Sequence, residues 1–166
     1  MPVLLKNGRG QLGEILKKNI KTTNFDEEVV IYHTWNIDDK SEDIQHKEYQ
    51  KFTTFVKEYR DKRIIFISTK SKKDDFYIKY KQMAESFLIQ NCNNCLVLKF
   101  PTLIGKGVIK NFKTKKQLPY GVMEIMSLKK CSSLIIDNIN FQGQRKILYF
   151  DGETVSADLV YELVNI

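Results

Sequence analysis

Tyr77 and Lys81 stand four residues apart where Phe76, Tyr80, Met83, Ala84, Phe87 and Leu88 recur at helical spacing, so both fall on one helix face. The pair suits proton transfer. A phenol with a pKa of about 10 exchanges protons poorly near neutrality, and an adjacent ammonium favours its phenolate form. Thr69 closes the apolar run Ile64-Ile-Phe-Ile-Ser68-Thr69, a strand candidate, with seven residues between it and Tyr77. A strand end and a helix start can present these three side chains to one site.

A second constellation lies near the N-terminus. Gly8-Arg9-Gly10-Gln11-Leu12-Gly13 is a G-x-G-x-x-G between an apolar run, Val3–Leu5, and a helical pattern, Leu12, Ile15, Leu16 and Ile20. Such glycines let the backbone turn sharply and approach a pyrophosphate, which then rests on the positive helix N-terminus. Arg9 could meet a ribose 2′-phosphate. The two histidines form no catalytic constellation, since His33 ends a buried strand and His46 sits in a polar stretch.

The elements that must position these residues alternate along the chain. Val29–Tyr32 is a strand candidate, and Tyr49, Phe52, Val56 and Tyr59 mark a helix. Ile64–Ile67 is a strand, and Leu96–Phe100 is another, halted by Pro101. Met123–Ile136 is expected as helix, Ile147–Phe150 as strand and Ser156–Val164 as a final helix capped by Ser156. This order implies an α/β domain spanning residues 1–166, with about five parallel strands and packed helices.

The motifs, taken in order, resemble the extended short-chain dehydrogenases/reductases that reduce, epimerise or dehydrate nucleotide-activated sugars. The glycine turn resembles their G-x-x-G-x-x-G, with Asn7 in place of the first glycine. Val29-Val-Ile-Tyr-His-Thr-Trp35 is similar to V-V-I-H-x-A-W, Ser68-Thr69 to the strand ending in two hydroxyl residues, and Tyr77/Lys81 to Y-x-x-x-K. Glu85 matches a frequent helix acid. Leu96-Val-Leu-Lys99-Phe-Pro101 with Gly105 and Gly107 is similar to L-R-x-P-x-x-x-G-x-G, Lys99 replacing arginine.

The resemblance implies catalysis by Tyr77, Lys81 and Thr69, with Lys81 also holding the nicotinamide ribose and Thr69 bonding the substrate carbonyl. It implies NAD or NADP bound by Gly8, Arg9, Gly10, Gln11, Leu12, Gly13, Lys81 and Pro101. Lys106 and Lys110 could meet a nucleotide-sugar diphosphate. Two functions follow: a NAD(P)-dependent nucleotide-sugar reductase or epimerase, or a degenerate homologue serving as a non-catalytic binding or assembly module.

The same comparison locates a loss. After the first helix, the connector Lys21–Glu28 leads directly to the strand resembling the family's fourth, so the usual second and third strands have no counterpart. The expected fold is a reduced Rossmann-like one, of two or three layers, with the first strand at a sheet edge. Crossovers of one hand would place every helix on one face, whereas an ancestral side for the first helix would make its crossover left-handed. Either outcome points to a homodimer burying a sheet face or edge. Asp26, Glu27 and Glu28 have about the spacing of the acid that holds an adenosine ribose, yet they enter the wrong strand.

Composition narrows the classes. Of 166 residues, 42% are hydrophobic and 28% charged, as in globular proteins, and no apolar run is long enough to span a membrane. The cytoplasm is the expected compartment. The net charge of +7 suits a nucleotide diphosphate, and nucleic acid is not favoured because no basic-aromatic module is present. Cys92-Asn-Asn-Cys95 is a lone C-x-x-C without further ligands, so no metal site is expected.

Overall fold

The computed structural model describes residues 3–6, 10–20, 27–114 and 121–164. Gly8 and Arg9, assigned above to the cofactor, lie outside them, as do Asn7 and Asp26. Five strands, β1 (Val3–Lys6), β2 (Val29–Tyr32), β3 (Arg63–Thr69), β4 (Cys95–Phe100) and β7 (Ile147–Tyr149), form a parallel sheet in that spatial order. A smaller sheet holds β5 (Thr102–Ile104), β6 (Val122–Ser127) and β8 (Glu153–Ser156), with β6 central. The helices are α1 (Gly10–Ile20), α2 (Glu42–Tyr59), α3 (Phe76–Asn91), α4 (Lys106–Lys113), α5 (Leu128–Asn138) and α6 (Ala157–Val164).

Strands β2, β3 and β4 of the large sheet are buried on both faces, which explains why they read as continuous apolar runs. Alternate residues serve opposite cores. Val30, Ile64, Phe66 and Val97 pack with Phe52, Phe55 and Val56 of α2 and Ala84 and Leu88 of α3. Val29, Ile31, Ile65, Ile67, Leu96 and Leu98 pack with Leu16 of α1 and Cys131 and Ile135 of α5. Each fully buried Phe or Ile contributes about 1.5–3 kcal/mol. Of the two-layer and three-layer expectations, the structure takes the three-layer form. The bare sheet face that would follow from helices on one side therefore does not arise.

The cost appears in the chain path. The steps β1→β2→β3→β4 all proceed in one direction across the sheet, yet α1 lies on the face opposite α2 and α3. The β1–α1–β2 crossover is thus opposite in hand to the two that follow. Because about 98% of such units are right-handed, the chain holds at least one crossover of the rare hand.

One expected element differs. Val122–Ser127, read as the start of a helix, is strand β6, and the helix begins only at Leu128. A short apolar run does not declare its period. Its partners decide: Thr102–Ile104 and Glu153–Ser156 pair with β6, while the Ser127 side chain accepts from Lys130 N–H at 3.1 Å and starts α5.

Arg63 pins the N-terminal end of the large sheet. Its guanidinium, 3% exposed, donates to Ile139 O, Phe141 O and Asn94 Oδ1 at 2.7, 2.6 and 2.8 Å. Lys70 ties the two sheets together at their other end, pairing with Glu124 of β6 at 2.6 Å and Asp151 at 2.8 Å.

Candidate active site

The carboxyl ends of parallel strands are where open α/β sheets bind ligands. Here a cleft of about 590 Å³ opens there, between the ends of β2, β3 and β4 and the starts of α1, α3 and α4. Thr69, Tyr77 and Lys81 all line it, and so do Gly10, Gln11, Leu12 and Pro101. Gly13 does not; it is buried within α1. Lys106 and Lys110 are exposed on α4 and do not line the cleft, although Gly105, Gly107, Val108 and Asn111 do. The lysines that reach the wall are Lys40, Lys73 and Lys81, the first two unforeseen in the sequence.

Asp75 starts α3, its side chain accepting from Ile78 N–H at 2.8 Å, and so sets Tyr77 in the first turn. No hydrogen bond among the described residues engages the Tyr77 hydroxyl. Burial, then the Asp75 carboxylate, push its pKa up to about 12. Lys81 is buried one turn on, 4% exposed, and donates to Ile67 O at 2.9 Å. Its nitrogen stands 4.5 Å from the Phe66 ring centroid, 5.0 Å from that of Trp35 and 6.0 Å from that of Tyr77. Burial pulls its pKa down to about 7. The ammonium of the protein alone therefore does not supply the lowered phenol pKa that the helix spacing suggests.

Thr69 Oγ accepts from Ser71 N–H at 3.1 Å, and no bond among the described residues uses its O–H. Behind it runs a buried polar chain in which Ser68 Oγ donates to Glu85 at 2.5 Å and Lys99 donates to the other Glu85 oxygen at 3.1 Å. Lys99 stands where the family pattern has arginine, and Glu85 holds it under the cleft floor.

His33 is the cleft residue whose role the sequence did not signal. Burial, then Lys17 and Lys81, lower its pKa to about 4, so the ring is neutral near pH 7. Its Nε2 is the one buried side-chain polar atom among the described residues without a partner. Only the tertiary neighbours reveal this, because a histidine at a strand end has no distinctive pattern of its own.

The start of α1 is the place in the cleft that could receive a phosphate. Gly10 takes φ +81°, a conformation that favours glycine, and the first turn carries no acidic residue. Gln11 Oε1 accepts from Lys106 N–H at 2.8 Å, clasping α1 to the start of α4. A nicotinamide cofactor fits this half of the cleft: a helix terminus for phosphate, and buried Lys81 and unpaired His33 for ribose hydroxyls. Among the described residues no cluster of three or more His, Cys, Asp or Glu could hold a metal ion.

No family model matches the sequence, and no curated protein matches it significantly. Solved structures do match. A UDP-N-acetylglucosamine 4-epimerase from Bacillus cereus is 14% identical, with a TM-score of 0.76 over 96% of this chain and 81% of that one. A dTDP-4-dehydrorhamnose reductase from Bacillus anthracis, solved with NADP, is 12% identical, with a TM-score of 0.75 over 98% of this chain and 79% of that one. The Bordetella bronchiseptica enzyme WbmG, solved with NAD, is 13% identical, with a TM-score of 0.70 over 98% of this chain and 76% of that one. At such identity the likeness carries the fold alone: the chain has a reduced Rossmann-like fold.

Proposed function

We propose that the protein is a NAD(P)-dependent reductase or epimerase acting on a nucleotide-activated sugar. The observation that carries this reading is convergence: Thr69, Tyr77 and Lys81 line one cleft with the Gly10–Leu12 turn at the carboxyl ends of the strands. When bound, the nicotinamide supplies the hydride donor or acceptor. The Thr69 O–H donates to the sugar carbonyl and orients it. The protonated Tyr77 hydroxyl gives its proton to the developing alkoxide, or recovers it in the reverse direction. Lys81 holds ribose hydroxyls, and its charge, restored by such contacts, eases proton loss from Tyr77. Lys40 and Lys73 are placed to meet the diphosphate of the sugar nucleotide.

A second reading, a non-catalytic binding or assembly module, is supported by the raised Tyr77 pKa and by Lys81 being spent on Ile67 O. Titration with NADH and NADPH, followed by nicotinamide fluorescence, separates the two. A saturable signal is expected; none with either cofactor at millimolar concentration defeats the enzymatic reading.

The proposed assembly is a homodimer. Among the described residues β1 pairs with β2 alone, and Leu4, on the α2 side of the sheet, is 46% exposed at that edge. Such an open edge invites a second strand. The proposed compartment is the cytoplasm, a reading supported by the free thiols of Cys92, Cys95 and Cys131; among the described residues no helix is long and apolar enough to cross a membrane.

A further inference from the structure

Resting on the reading that a nicotinamide cofactor is the ligand, we propose that the cleft recognises only its nicotinamide mononucleotide half and leaves the adenosine half unread. A doubly wound sheet binds a dinucleotide across the point where strand order reverses, one half on each side of the first strand. Here, among the described residues, β1 ends the sheet, and the order β1-β2-β3-β4-β7 has no reversal. The half that remains is complete: the α1 terminus for the phosphate, Lys81 and His33 for the ribose, Thr69 and Tyr77 at the reacting end.

Of the acids spaced for the adenosine ribose, Glu27 and Glu28 are committed elsewhere, and Asp26 lies outside the described residues. Glu28 follows the connector at the N-terminal end of β2, where its carbonyl accepts from Arg63 N–H and its carboxylate pairs with Lys62 at 2.6 Å. Glu27 accepts from Asn94 at 2.9 Å and Gln142 at 3.1 Å, with Arg63 at 3.6 Å. The cleft lies at the other end of the strands. From Glu28 to His33 an extended chain rises roughly 16 Å at about 3.3 Å per residue, so neither carboxylate can reach a ribose seated on α1. What faces the ligand beside α1 is His33, neutral and unpaired, which suits a hydroxyl or an amide rather than an anion.

The test is a set of titrations with reduced nicotinamide mononucleotide, NADH and NADPH, with adenosine as competitor. Salt of about 0.15 M screens the general attraction of a basic protein for the more highly charged ligands. The expected result is dissociation constants for the three nicotinamides within about threefold of one another and no displacement by millimolar adenosine, a pattern of recognition confined to the shared half. NADH or NADPH binding more than about tenfold tighter than the mononucleotide, or displacement by adenosine, overturns the proposal, since about 1.4 kcal/mol would then come from adenosine contacts. Saturable binding by none of the three defeats the functional reading itself and this inference with it. Glu28→Gln, remote from the cleft, should leave NADH affinity unchanged, and a tenfold loss would again locate adenosine recognition at that acid.

Discussion

At the residue scale the site is governed by two burial effects that oppose each other's usefulness. Tyr77 holds its proton and Lys81 sheds one readily. Replacing Tyr77 by Phe removes the proton donor but not the ring, so turnover should fall by about 10²–10⁴-fold with cofactor affinity little changed, read by steady-state kinetics beside a fluorescence titration. With a phenol pKa near 12, reduction needs the form already present and should be insensitive to Tyr77 ionisation from pH 6 to 9, whereas alcohol oxidation should rise about tenfold per pH unit. Lys81 makes a stability prediction. The unfolded chain keeps this proton up to about pH 10.5 and the folded one releases it near 7, with Glu85 and Glu48 resisting the loss and Lys99 favouring it. Between those values the unfolded state binds more protons, so stability rises with pH. Urea melts from pH 7 to 9.5 should show the native protein gaining on Lys81→Met at up to about 1.4 kcal/mol per pH unit, and parallel curves would refute the assignment.

At the scale of elements, the point where the two sheets meet leaves no room beside Gly152. A Cβ on Gly152 would collide with the carbonyl of Ile125 in β6 and stand 2.9 Å from Pro101 Cγ. Gly152→Ala must push β6 and the β7–β8 loop apart, and should cost roughly 1–3 kcal/mol, seen as a lower midpoint in chemical unfolding. This junction also marks the limit of what the sequence disclosed. Strands β2, β3 and β4 were readable because burial on both faces leaves continuous β-branched and aromatic runs, and α3 because its apolar positions recur every turn. Strand β6 was misread because its identity rests on partners about twenty and thirty residues away, not on its own period. The trio of Thr69, Tyr77 and Lys81 was legible from spacing. His33, Lys40 and Lys73 were not, since each reaches the cleft from a segment with no regular pattern.

At the scale of the whole molecule, β1 pairs with β2 alone among the described residues and so forms a sheet edge. A second copy pairing along β1 would restore its hydrogen bonds and cover Leu4. The expected solution state is a dimer by light scattering, and Leu4→Lys should shift it to monomer by placing a charge in that contact while leaving the circular dichroism spectrum intact. A Leu4→Lys protein that stays dimeric would move the interface elsewhere.

The crossover of unusual hand has a consequence for motion. Residues 27–164 already contain both sides of the proton-transfer site, β2 through β4 with α2 and α3, whereas among the described residues β1 and α1 join them through the β2 edge, the core cluster around Leu16, the α5 contact and the Gln11 clasp. The N-terminal segment is therefore suited to detach and re-dock as one cooperative unit, a subglobal opening of lower free energy than complete unfolding. In native-state hydrogen exchange the amides of β1 and α1 should lose protection together and earlier than those of β3 and β4. Cofactor should slow that exchange preferentially, so that one layer of the fold works as a clasp which the ligand itself fastens.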